Sequence, residues 1–147
     1  MNIINHLESN SKKYPEKNAI IFENEKISYK ELYDRVQNFS LSISELNKEV
    51  ISLISENSIS FIIFYLGIIR SGNIVHIVPP EISETNLNNQ IKTANSQLII
   101  CSENVFNNIS KYSKIKTQIL IFSEIKLHSE INKSYLKENP IAHLDRK

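Results

Sequence analysis

Residues 50–80 read VISLISENSISFIIFYLGIIRSGNIVHIVPP, and this stretch decides the fold. Val50 to Ile54 is an apolar run of strand length, short enough to be a buried strand. Asn57 or Ser58 then stands where a helix N-cap belongs, with a side-chain oxygen able to accept a hydrogen bond from a first-turn amide. Ile59, Phe61, Ile62, Phe64, Tyr65, Ile68 and Ile69 follow, giving a helix apolar nearly all round that must be enclosed between other elements. Gly72 occupies the C′ position, where the left-handed backbone suits glycine. Ile74 to Val78 is the next strand, and Pro79-Pro80 ends it, because proline cannot donate to a ladder.

Outward from this unit the same alternation continues, which predicts an α/β fold: three layers, with a mostly parallel sheet between flanking helices. On the N-terminal side, Ile3, Ile4 and Leu7 lie on one face of an opening helix that Tyr14-Pro15 terminates. Ala19 to Phe22 and Lys26-Ile27 read as two short strands around a turn at Asn24-Glu25. Ser28 and Glu31 have the spacing of a capping box. Behind it Tyr29, Leu32, Tyr33, Val36, Phe39, Ile43 and Leu46 recur at three- and four-residue steps, which predicts a helix with one face on a core. On the C-terminal side, Ser83 caps a helix carrying Leu87, Ile91 and Ala94, and Gln97 to Ile100 forms a strand. Val105, Phe106 and Ile109 suggest a short helix and Gln118 to Phe122 a strand. From about Glu124 periodicity is lost.

Composition excludes several functions. The 147 residues carry 17 basic and 16 acidic side chains, a net charge of +1, so no nucleic-acid-binding surface is implied. The one basic stretch, Lys111 to Lys116, suits a solvated helix end or loop. The opening residues lack a basic n-region and a long apolar core, so no signal peptide is read, and no apolar run is long enough to span a membrane. A cytoplasmic protein is expected. The single cysteine, Cys101, follows Leu98-Ile99-Ile100 and reads as a buried, inert thiol.

Glycine scarcity is the most informative feature of the composition. A loop that cradles phosphate needs glycines close together so that backbone amides can approach the anion. This chain has two, Gly67 and Gly72, so no such loop can be written in it. The histidines, His6, His76, His128 and His143, are too far apart to pair as metal ligands, and one cysteine makes a zinc site improbable. His76 alternates with Val75 and Ile77 and reads as a structural or exposed histidine, facing away from the core or towards a cleft. Glu23 and Glu25 belong to a solvated turn. No Ser/His/Asp set can be assembled, and the residues alone point to a soluble α/β domain without a visible active site.

Residue order adds more. Tyr14-Pro15-Glu16-Lys17-Asn18-Ala19-Ile20-Ile21-Phe22, then Ile27-Ser28-Tyr29-Lys30-Glu31-Leu32, resembles the start of the adenylate-forming superfamily of acyl-CoA synthetases, peptide-synthetase adenylation domains and luciferases. There a "YPDKPA(V/I)" stretch precedes "(L/I)(T/S)YxEL". Asn57-Ser58 is similar to the family's "PNS", and Arg70-Ser71-Gly72 stands at the place of its "KAG". Pro80, Ser83 and Leu87 fall into the pattern "VPLNPxxxxxEL". The resemblance covers about residues 1 to 105. Two departures stand out. Lys48-Glu49 replaces the family's "GD" turn. Ile77 and Pro79 replace its proline and the following asparagine or aspartate, so two loops are expected to be reshaped.

The resemblance implies an N-terminal subdomain of a two-step ligase. ATP, with Mg²⁺, and a carboxylate would give an acyl-adenylate and pyrophosphate, and the thiol of CoA or of a carrier's pantetheine would take the acyl group. The family's phosphate loop, adenine pocket, Mg²⁺-binding acid, ribose-binding aspartate and mobile lysine all lie downstream of the matched region. No catalytic, cofactor-binding or metal-binding residue is therefore assigned here, and the chain alone is expected to be inactive. Residues 1–123 are read as the subdomain and 124–147 as a linker or incomplete element leading towards the phosphate loop. The loop from Val78 to Ser83 is the one segment that could face the cleft, although a plain strand–helix connection explains it. Three organisations stay open: part of a longer ligase, one chain of a split ligase, or a non-catalytic α/β binding module. The first two expect an apolar sheet edge or face left exposed, the third a charged or covered one.

Overall fold

A computed structural model of the chain describes residues 2–125. Its helices are α1 (Ile3–Lys13), α2 (Tyr29–Ser42), α3 (Ile59–Arg70), α4 (Glu84–Ala94) and α5 (Glu103–Ile109). Its strands are β1 (Asn18–Phe22), β2 (Glu25–Ser28), β3 (Val50–Ile54), β4 (Ile74–Val78), β5 (Ser96–Cys101) and β6 (Ile119–Ile121). Strands β3 to β6 form one parallel sheet in the order β4-β3-β5-β6, while β1 and β2 pair as a separate antiparallel hairpin.

The pleat sorts the core. Ile51, Leu53, Leu98, Ile100 and Leu120 point to one face, where they pack with Phe39, Ile43, Leu46, Phe64 and Ile68. Ile54, Val78, Ile99 and Cys101 point to the other and meet Leu87, Ile91, Val105 and Ile109. The sheet thus lies between an α2/α3 layer and an α4/α5 layer, the three-layer arrangement expected. The hairpin and α1 add a further cluster in which Leu7, Ile27, Leu32 and Val36 meet Ile59, Ile63 and Leu66. Helix α3 gives Phe64 and Ile68 to the sheet and Ile59, Ile63 and Leu66 to the hairpin side, which is why its sequence is apolar almost all round.

Caps follow the sequence closely. Asn2, Ser28, Ser58, Ser83 and Ser102 each accept a backbone N–H three residues on. Of the two candidates for α3, Ser58 makes the cap. At Ser28 the serine half of the box forms, Ser28 Oγ accepting Glu31 N–H at 3.1 Å. The hairpin turn is Glu23-Asn24 rather than Asn24-Glu25, since Phe22 and Glu25 already pair, and Glu23 takes φ +54°.

Helix α2 ends at Ser42, earlier than its apolar period suggests. The hydroxyls of Ser40 and Ser42 bond back to the carbonyls of Gln37 and Phe39, at 2.8 and 2.6 Å, and compete with helix continuation. Ile43 and Leu46 are nonetheless buried, at 1% and 2% exposure, from the turns that follow. Strand β5 is longer than expected, Ser96 to Cys101. Strand β6 is shorter, because Phe122 to Glu124 turns into a 3-10 helix. Ile125 packs into the α2/α3-side core. The expected linker beyond it, with His128 and His143, lies outside the described residues.

Candidate functional site

The connectors at the two ends of the sheet show what holds this scaffold in shape. At the N-terminal ends of β3 and β4, Asn73 is 7% exposed and clamps two loops. Its Nδ2 donates to Leu46 O at 3.1 Å and to Ser71 Oγ at 2.8 Å, and its Oδ1 accepts Glu49 N–H at 3.0 Å. Beside it Lys48, at the place where the resembled motif has glycine, adopts φ +56°. A lysine here bears a left-handed backbone that glycine would enter more cheaply.

Both glycines have structural occupations. A Cβ on Gly67 would overlap Cδ2 of Phe39, so α3 approaches α2 as closely as glycine allows. Gly72 has φ +85° directly after α3, as expected of a C′ glycine. Neither is placed in a loop that could wrap phosphate.

At the C-terminal ends of the strands, β4 lies to one side of β3 and β5 to the other, so the chain reverses its winding between β3 and β5. In open α/β sheets that position is where ligands bind. Here it holds Glu56 and Ser102: Ser102 Oγ donates to Glu56 Oε2 at 2.8 Å while also capping α5. Cys101, on the last residue of β5, is fully buried. Burial first, then the charges of Glu124 and Glu56, push its thiol up to about 12, so it stays protonated and unreactive near neutrality. Among the described residues no group of three His, Cys, Asp or Glu could hold a metal ion.

The Val78–Ser83 loop is anchored: Tyr112 Oη donates to Ile82 O at 2.7 Å, and the carboxylate of Glu84, just beyond, accepts Lys114 N–H at 2.8 Å. Lys111 to Lys116 form the α5–β6 connection, and His6 is exposed on α1. His76 sits mid-β4, half-buried beside α4, with its Nδ1 2.8 Å from Ser52 Oγ. Burial lowers its pKa below the ordinary 6.5. Ser52 and Ser96 escaped sequence reasoning. Their only signal was a lone serine within, or at the start of, an otherwise apolar strand.

Comparison with known proteins fits this architecture. The family model described as "AMP-binding enzyme" matches residues 7–143. Gramicidin S synthase 2 of Brevibacillus brevis is 35% identical over 72 residues, 47% of this chain and 2% of that protein. Tyrocidine synthase 2 of Brevibacillus parabrevis is 22% identical over 108 residues, 71% of this chain and 3% of that one. Among solved structures, the N-terminal subdomain of Klebsiella oxytoca NpsA superposes with a TM-score of 0.69 at 17% identity, covering 82% of this chain and 31% of that one. The R395G mutant of coronafacic acid ligase from Pectobacterium brasiliense gives 0.71 at 17% identity, covering 82% and 25%. The chain therefore spans a small part of the curated relatives it matches and under a third of these structural ones. No helix among the described residues is long and apolar enough to cross a membrane. With its model match over most of the sequence, its ordered motifs and its three-layer sheet, the chain belongs to the AMP-binding enzyme family, as an N-terminal portion of an adenylate-forming domain.

Proposed function

We propose that the chain is the scaffold portion of an ATP-dependent carboxylate-activating ligase and is not catalytic alone. In the complete enzyme ATP and a carboxylate give an acyl-adenylate and pyrophosphate, and a thiol then takes the acyl group. The observation that carries this reading is the β4 edge. The strand reads Ile-Val-His-Ile-Val without a charge or an internal proline, among the described residues it pairs only with β3, and Ile74 and Ile77 are 55% and 53% exposed. Parallel sheets rarely leave such an edge open, and self-contained proteins blunt theirs with charge, proline or cover. A strand from the remainder of the ligase, on the same or a separate chain, suits it better than solvent does.

ATP and Mg²⁺ belong to that remainder. Both glycines are committed elsewhere and the described residues offer no metal cluster, so no step of nucleotide chemistry is assigned to them. Similarity to the gramicidin S and tyrocidine synthases, and to a structure described as a fused adenylation–PCP di-domain, favours a carrier-borne thiol over CoA. An ATP-consuming enzyme of this kind is read as cytoplasmic. We take 1–123 as the subdomain with 124–147 leading on, and the burial of Ile125 favours setting the junction just after it. Hydrogen exchange tests the edge. The outward amides of residues 74–78 should exchange freely in the isolated chain and be protected in the longer protein. Equal exchange in both would remove the reading.

A further inference from the structure

Helix α4 and the connector from α5 to β6 flank a cavity of about 380 Å³ at the N-terminal end of β5, the opposite end of the sheet from Glu56 and Ser102. One face of α4 supplies Asn88, Ile91, Lys92 and Asn95, at three- and four-residue steps, and the connector supplies residues 114–117. Ile91 is 7% exposed and Ile115 is half-buried, so the deeper wall is apolar and the rim polar. The walls are fixed to one another: Tyr112 Oη donates to Ile82 O, and the Glu84 carboxylate accepts Lys114 N–H.

The charges around this cavity are of one sign. Lys92, Lys114 and Lys116 line it, and no Asp or Glu does. Elsewhere exposed lysines have carboxylate neighbours: Lys12 lies 3.3 Å from Glu8 and Lys30 lies 3.2 Å from Asp34. Among the described residues the three cavity lysines have no such partner, and the side chains of Asn88 and Thr117 make no hydrogen bond. Like charges gathered at one place repel, and a bound anion relieves that repulsion. The carbonyl end of α4 would resist an anion, but Asn95 N–H already bonds to the carbonyls of Ile91 and Lys92, and Lys114 and Lys116 stand off the helix.

We propose that this cavity binds a small phosphate-bearing molecule, its phosphate among the three lysines and its organic part on Ile91 and Ile115. A phosphate ester is close to doubly charged at neutral pH and offers several acceptor oxygens, which suits three ammonium groups and the neighbouring Asn and Thr donors better than a carboxylate does. The basic stretch Lys111 to Lys116 thereby gains a role beyond solvation. A nucleic-acid backbone does not fit, because it needs a track of such charges and this chain has a net charge of only +1.

Titration of the ¹⁵N-labelled chain with phenyl phosphate, followed by amide shifts, tests this. Saturable shifts should appear at residues 88–96 and 114–117 and weaken as salt is added. Inorganic phosphate should shift the same amides with several-fold lower affinity, since it leaves Ile91 and Ile115 uncovered. Lys114→Gln combined with Lys116→Gln should weaken binding about tenfold, while Lys→Arg at both positions, which keeps the charge, should retain it. Shifts that never saturate, or that spread equally to the exposed Lys13 and Lys26, would overturn the proposal. So would an affinity unchanged by the double glutamine variant, and inorganic phosphate binding as tightly as phenyl phosphate would remove the organic part of the ligand.

Discussion

Replacing Gly67 by alanine should destabilise the chain, although helix propensity alone gives the opposite sign. In a helix interior alanine is better than glycine by about 1 kcal/mol. At Gly67, however, the added Cβ would overlap Phe39 Cδ2 and lie 3.1 and 3.3 Å from Cε2 and Cγ of the same ring. That ring cannot retreat easily. Phe39 is fully buried and meets Phe64 edge-on at 4.8 Å, and Phe64 stacks on Phe122 at 4.4 Å. Overpacking a filled core costs up to ~3 kcal/mol, so the net loss should be about 1–2 kcal/mol. For a chain of this size that corresponds to a Tm lower by roughly 5 °C. Thermal and urea unfolding of Gly67→Ala measure it directly. In a double-mutant cycle, Phe39→Leu should relieve the clash, making the pair less destabilised than the sum of the singles by about 1 kcal/mol. A Tm that rises in Gly67→Ala, or strict additivity in the cycle, would refute the close α2–α3 approach.

Lys48→Gly should stabilise by about 1 kcal/mol, because a lysine now bears a left-handed φ that glycine adopts without steric cost; urea unfolding checks it. Asn73→Ala should cost about 2–3 kcal/mol by the same measure, since it strips three hydrogen bonds from a buried clamp and leaves Leu46 O without that donor. Burial lowers the His76 pKa in the fold, so the unfolded chain binds more protons once pH drops below about 6.5. Its contribution is therefore complete above that pH and lost as pH falls through the lowered folded value, and His76→Gln should flatten this part of the stability curve. Cys101 should resist thiol reagents at pH 8 in the folded chain and react on unfolding, as its raised pKa and burial require.

Local signals in the sequence were reliable where one segment carries its own pattern. The caps at Ser28, Ser58 and Ser83, the Gly72 terminus and the alternating strands all follow from residues within a turn or two of one another. So did the enclosure of α3, since a helix apolar on every side has to be covered on every side. Features set by distant partners were not legible. Nothing near Gly67 announces that Phe39, 28 positions earlier, lies against it. Nothing near Ser52 announces His76 and Ser96 on the neighbouring strands, because a register between parallel strands depends on the whole crossover. The end of α2 was missed for a local reason: the apolar period continues through Leu46, but back-bonding serines end the helix first.

The central claim is that this chain shapes an activating enzyme without performing its chemistry. ATP–pyrophosphate exchange over a panel of amino, aryl and aliphatic acids, with Mg²⁺, tests it most directly. The isolated 147 residues should give no exchange above background, and exchange should appear when the remainder of the ligase is supplied. Exchange by the isolated chain with any carboxylate would contradict the account.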